Sequence, residues 1–269
     1  YDQWTRVEVV PKQERTGAYV RGTFDLNANT SLFAEASWVN SQVTFLGDAR
    51  VLGQAGGATF NAATGRLNQQ PASLPVGHPN NPFNRTTQFR YRFNLLGFAD
   101  QETESDTTRF VAGVKTVLGR FDFESSLMYN KSEVTNQRYN FVRYTPWINA
   151  INSGFNLLTG TGGTVTLDQL RVNPKTEAES SFAVFDAKLS GELGWTLAGG
   201  PVGVAMGFEH RREERKVTAD EPTRTGEVIG LGIAEADGSR NVNTLFAEFV
   251  LPVTKSVEVQ LAGRYDKYS

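Results

Sequence analysis

The sequence predicts an all-β protein: an antiparallel, up-and-down meander of about eight strands. Two observations predict it. Eight stretches alternate residue by residue, apolar on one parity and polar or charged on the other, which is the period of a strand with two unlike faces. The connectors between them alternate as well, one short and rich in Asn, Gly or Pro, the next long.

The strands fall in order along the 269 residues. The first covers about 14–26, turns at Asn27-Ala28-Asn29, and returns over about 30–43. A long segment rich in Gly, Asn and Pro then runs to about Asp106. The third and fourth strands cover about 107–118 and 120–134, joined at Leu118-Gly119-Arg120. A second long segment reaches to about Ser180. Strands five and six cover about 181–197 and 201–218, joined through Gly199 and Gly200. A medium loop over 219–239 precedes strands seven and eight, about 240–251 and 256–268, which meet at Pro252-Val253-Thr254-Lys255. Every short joint lies at one end of the meander and every long one at the other. Segments of such length usually mark function or disorder.

One parity collects Val20, Phe24, Leu32, Ala34, Trp38, Phe110, Ala112, Leu127, Tyr129, Phe185, Val204, Met206, Phe208, Leu245, Phe249 and Leu261. The other collects Arg21, Glu35, Arg109, Lys115, Glu124, Asp186, Lys188, Glu209, Arg211, Glu248, Arg264 and Asp266. A soluble sandwich that packs one face and wets the other would give this split. So would a membrane barrel with one face on lipid and one on a polar interior. Three features favour the barrel. Strands of about 12 to 18 residues exceed the usual five or six of a sandwich. Hairpin after hairpin is not Greek-key order. Aromatic residues stand towards segment ends (Trp38, Tyr129, Trp195, Tyr265, Tyr268), as an interfacial girdle requires.

Bulk composition agrees. Mean hydropathy is -0.37, and no window approaches the roughly 18 apolar residues of a membrane helix. In a barrel only alternate residues meet lipid, so average hydropathy stays low. A net charge of -2 gives no electrostatic case for nucleic acid as a partner. The absence of cysteine removes disulfides, thiolate metal sites and thiol nucleophiles.

In bacterial barrels short turns are periplasmic and long loops external. The first strand would then run inward and the last outward, putting both chain ends outside the cell. Single-chain barrels normally keep their termini in the periplasm, so the expectation is an internal fragment of a larger barrel, with at least one strand missing at each end. The start at Tyr1 without a signal peptide and the end at Ser269 without a terminal aromatic agree.

The stretches AGGPVGVAMGFEHRREE (198–214), SRNVNTLFAEFVLPV (239–253) and VEVQLAGRYDKYS (257–269) resemble successive strands of TonB-dependent receptors. So do ERTGAYVRGTFDLNANTSLFAEASW (14–38) and the loop segment HPNNPFN (78–84). The resemblance covers the whole chain as part of the barrel, through strand textures rather than catalytic signatures. It implies a 22-stranded transmembrane β-barrel in the Gram-negative outer membrane, with lipid as its surroundings. It also implies a plug domain and TonB box elsewhere in the full-length protein, and partnership with the TonB system. The implied task is import of a scarce small-molecule nutrient such as an iron chelate, cobalamin or an oligosaccharide. It supplies no catalytic residues, and no cofactor is expected.

Candidate ligand contacts lie in the outer loops. The first (about 44–106) offers Asn81, Phe83, Arg85, Arg90 and Tyr91, and the second (about 135–180) offers Tyr139, Arg143, Tyr144 and Trp147. Aromatic faces with amides suit sugar rings, and arginine clusters suit anionic chelates. The alternative use of these residues is packing of loop on loop over the barrel mouth. Six charges, Glu35, Glu209, Arg211, Glu248, Arg264 and Asp266, are expected to face the lumen and pair with one another or with a plug, since unpaired charge in a confined interior is costly.

Chemistry finds little footing. His78 and His210 are the only histidines and stand far apart, so no metal site is expected. Gly160-Thr161-Gly162-Gly163 lacks the Lys-Ser/Thr step of a phosphate cradle. Gly53-Gln54-Ala55-Gly56-Gly57 reads as loop flexibility, and the mixed run Arg211–Lys216 as solvated pairs where a strand leaves the membrane. Specific binding rather than catalysis is the expectation. The rivals are a passive porin, a barrel-borne enzyme or adhesin, and a soluble sandwich-like domain.

Overall fold

A computed structural model describes residues 6, 8, 10–53 and 58–269; the glycine-run positions 54–57 lie outside the described residues. Strand makes up 64% of the described residues and helix 9%. Eight long strands form one antiparallel sheet in strict sequence order. They are β1 (Lys12–Asn27), β2 (Thr30–Phe45), β3 (Gln101–Leu118), β4 (Phe121–Arg138), β5 (Lys175–Leu197), β6 (Gly200–Ala219), β7 (Ala236–Thr254) and β8 (Val257–Tyr268). β1 and β8 pair with no further strand among the described residues, so the sheet has two open edges.

Each short joint has its own local chemistry. At the first, the Asn29 amide donates to Asn27 Oδ1 (2.9 Å), closing an Asx turn. At the second, Gly119 has φ 67°, where a Cβ would be strained.

Residues directly opposite share a face, so the register tests the predicted parity. One row reads Gly22, Ala34, Ala112, Leu127 and Phe185. Its neighbour reads Arg21, Glu35, Val111, Met128, Val184 and Arg211. The two parities hold across the whole sheet. Most of the large side chains of the apolar face are exposed: Phe24 at 65%, Leu127 at 63% and Leu261 at 55%. Among the described residues no second layer covers them. Of the phenylalanines on the polar parity, two stand across from a glycine: Phe33 opposite Gly113, and Phe246 opposite Gly207. Their rings lie over these glycines, where a Cβ would come within 2.5 Å of the ring carbons.

The upper limit of the apolar band is oblique to the strands. Trp38 bounds it on β2, Tyr129 on β4, Phe208 on β6 and Tyr265 on β8. From the row of Trp38 to the row of Tyr265 the limit drops by about six residues over six strand spacings, roughly 20 Å against 29 Å. That slope corresponds to a tilt of about 35°, the value for strands in membrane barrels. On β4 the band runs from Phe121 to Tyr129, roughly nine residues, enough to cross the hydrocarbon at that tilt.

Two expectations need correction. Tyr268 is opposite Val242 on the polar parity, with the Arg240 guanidinium 5.6 Å from its ring, so it is no part of an outer girdle. The strands also run further at the long-loop end than hydropathy indicates: β3 begins at Gln101 and β5 at Lys175. Above the band both faces are polar. Lys131 there bridges Glu133 (3.0 Å) and Glu179 (3.4 Å), and Arg212 meets Glu214 (2.7 Å), so the ladder continues after alternation has faded.

Candidate functional site

The described residues of the three long connections, 46–53 and 58–100, 139–174 and 220–235, fold together into one lobe at the long-loop end of the sheet. Its core brings Leu52, Leu74, Phe93 and Leu96 of the first loop against Trp147, Ile151, Phe155 and Leu170 of the second and Ile229 of the third. Helix α1 (Tyr144–Ser153) buries Trp147, Ala150 and Ile151, and stops at Gly154, a left-handed C-cap. α2 (Leu167–Leu170) opens on a capping box, Thr166 with Gln169, and α3 (Glu221–Arg224) on the Asp220 carboxylate. Polar ties join the loops. Asn80 Nδ2 donates to Asn156 Oδ1 (3.1 Å), and Asn80 Oδ1 accepts from the Leu157 amide (2.7 Å). The Ile229 amide donates to Val142 O (3.0 Å).

The predicted loop residues divide by use. Asn81 is a correction: it is buried, and its Nδ2 donates to the carbonyls of Leu74, Pro75 and Arg85 (3.2, 2.9 and 2.9 Å), so it ties its own loop. Trp147 is another: at 0% exposure it fills the lobe core against Phe89 and Phe93. Tyr139 donates to Glu102 Oε2 (2.7 Å) on the apolar parity, and this bond, more than burial, raises its phenol pKa. Tyr144 donates to Gln69 O (2.9 Å), and Tyr91 packs half-buried at 5.9 Å from Phe93. Arg143 lies 3.5 Å from Glu227. Phe83, Arg85, Arg90 and Arg143 are the exposed members, with the Arg85 guanidinium 5.9 Å from the Phe83 ring. These residues do not converge on one pocket.

The six charges of the strands all lie on the polar face. Glu35 sits between Arg109 (3.2 Å) and Arg21 (3.6 Å). Arg211 bridges Glu209 (3.2 Å) and Glu213 (2.7 Å). Arg264 meets Asp266 at 3.0 Å, and Glu248 accepts from Gln260. A further network escapes a strand-by-strand reading because its members come from neighbouring strands: Lys115 to Glu124 (3.2 Å), and Lys188 to Asp186 (3.7 Å) and Glu124 (4.0 Å). It walls part of an open cavity of about 740 Å³ beside the first two short turns, with Asp25 and Asn29. Among the described residues no group of three or more His, Asp or Glu side chains converges as metal ligands.

No protein-family model matches the sequence, and no curated protein matches it. Solved structures do. The chain is similar to the ferric-catecholate import receptor Fiu of Escherichia coli K12 at TM-score 0.52 and 14% identity, covering 96% of this chain and 34% of that one. It is similar to the ferripyoverdine receptor of the outer membrane of Pseudomonas aeruginosa at TM-score 0.51 and 13% identity, covering 96% and 31%. The RagAB peptide importer matches at TM-score 0.52 and 10% identity, covering 96% and 28%. The chain thus spans about a third of the length of these structures. Its fold is that of part of the barrel of TonB-dependent outer-membrane receptors.

Proposed function

We propose that the chain is a stretch of barrel wall in a TonB-dependent outer-membrane receptor. Lipid meets the apolar face, and the ion-paired face looks into the lumen. The reading extends to the full-length protein: a plug fills the lumen, further strands close the two open edges, and TonB coupling drives import of a scarce nutrient caught by the outer lobe. Binding and passage, rather than catalysis, are its task. The observation behind it is the contrast between the faces: Leu127 is 63% exposed, while the side chain of Glu35 is 18% exposed between two arginines. A soluble protein rarely leaves so wide an apolar face uncovered. The likeness to importers of iron chelates and peptides supports the direction of transport.

The test is uptake by cells carrying or lacking the full-length gene, with and without a proton-motive force. Uptake that needs both gene and energy supports coupling. Gene-dependent uptake indifferent to energy would mean a passive channel instead.

A further inference from the structure

Half-buried arginines in this protein follow a rule with two exceptions. Arg6 meets Asp100 (2.8 Å), Arg109 meets Glu35 (3.2 Å), Arg171 meets Asp168 (3.0 Å) and Arg211 meets Glu213 (2.7 Å). Arg92 pairs with Asp48. Among the described residues only Arg50 and Arg138 are half-buried without a carboxylate. A half-buried charge without a counter-ion has lost part of its hydration uncompensated, so such a site suits an anion.

The two share a neighbourhood. Arg138 ends β4 on the polar parity, and its Nε donates to Gln101 Oε1 (3.2 Å) across the ladder. Three residues on, Phe141 lies beneath the Arg50 guanidinium, 4.2 Å from the ring centroid. Arg50 is anchored through its carbonyl, which accepts from the Phe93 amide (2.8 Å). Gly230 leaves its guanidinium room, since a Cβ there would come within 2.5 Å of Nη2. Burial lowers the Arg50 pKa, and the charge of Arg138 lowers it further. The surrounding loop, residues 46–100, holds five arginines, no lysine, no glutamate and two aspartates. Both aspartates are occupied, by Arg92 and Arg6, so the loop presents an excess of positive charge to anything approaching.

We infer that Arg50 and Arg138 form an oxyanion-binding pair where the polar face meets the outer lobe, and that the ligand bears carboxylate or phosphate groups. Guanidinium forks suit both groups, while a neutral sugar gains nothing from them. The inference names the ligand class of the receptor proposed above and rests on that reading for the direction of travel. The binding test does not depend on it.

The experiment uses the purified full-length receptor in detergent, with calorimetric titration of citrate, inorganic phosphate and maltotriose at matched ionic strength. Citrate or phosphate should bind and maltotriose should not; which anion binds more tightly separates a carboxylate from a phosphate source. Arg50→Gln and Arg138→Gln should each weaken anion binding about tenfold or more, whereas Arg66→Gln, an exposed arginine of the same loop, should stay within about twofold. Arg50→Lys, which keeps the charge without the fork, should fall between. If a glutamine variant does not assemble, heat stability of the wild type decides: the bound anion should raise it above the chloride control. Wild-type receptor that ignores both anions, or glutamine variants that bind as wild type, would overturn the proposal. Energised uptake is measured separately, so loss of the anion site and loss of the import reading remain distinguishable.

Discussion

Arg109 Nη1 stands 3.2 Å from the Glu35 carboxylate, across the seam between β2 and β3 and on the polar face. Arg21 approaches the same carboxylate from β1 at 3.6 Å, so one acid serves two bases. Glu35→Gln keeps the shape and removes the charge. It should cost about 1–3 kcal/mol, because two cations then face a neutral amide. Urea unfolding of bilayer-inserted protein measures it. The exposed Lys12–Glu14 pair is the control: Glu14→Gln should leave the midpoint unchanged.

Leu127 lies on the apolar face in the row of Ala34 and Phe185. Leu127→Arg should lower bilayer stability by about 2–4 kcal/mol if the site lies near the midplane. The same substitution at Ser126, its neighbour on the polar parity, should cost far less. Equal costs would mean that the two faces share one environment.

Trp147 fills the lobe, so Trp147→Ala should open a cavity and cost the lobe about 3–5 kcal/mol. Because this core is separate from the ladder, hydrogen exchange should quicken in residues 46–100 and 139–174 and stay slow in β3 to β6. Uniform loosening of the strands would show that lobe and sheet unfold as one unit.

His78 is 4% exposed, and its Nδ1 accepts from the Asn80 amide (3.1 Å), which places the proton of the neutral ring on Nε2. Burial lowers its pKa below the usual 6.5. The unfolded chain therefore takes up the proton first. The contribution of His78 is present above pH 6.5 and is lost as pH falls below it. Limited proteolysis of the lobe should quicken between neutral pH and pH 5, and His78→Gln should flatten that dependence.

The sheet was legible in the sequence because its two environments impose period two, and Asn27 and Gly119 mark turns that few other residues make. The strand tops were not: around Lys131, Glu133 and Glu179 both faces are wet, so alternation no longer reports the ladder. The lobe was least legible. Leu52, Phe93, Trp147, Leu170 and Ile229 are scattered over three connections, and no period links residues that meet only in space. Loop aromatics and amides such as Trp147 and Asn81 therefore looked like ligand contacts when they hold the lobe together. Arg50 escaped notice because what distinguishes it is a missing partner.

The chain has no cysteine, so a single-cysteine spin label within it stands alone once any cysteine elsewhere in the full-length protein is replaced by serine. Labels at Phe110, Leu127, Phe185 and Leu261, and at Glu35, Ser126, Asp186 and Arg264, in the full-length protein in bilayers, compare the faces directly. The first set should be relaxed by lipid-dissolved oxygen and shielded from a water-soluble nickel chelate, with the second set reversed. Nickel reaching both sets alike would contradict a lipid-facing wall.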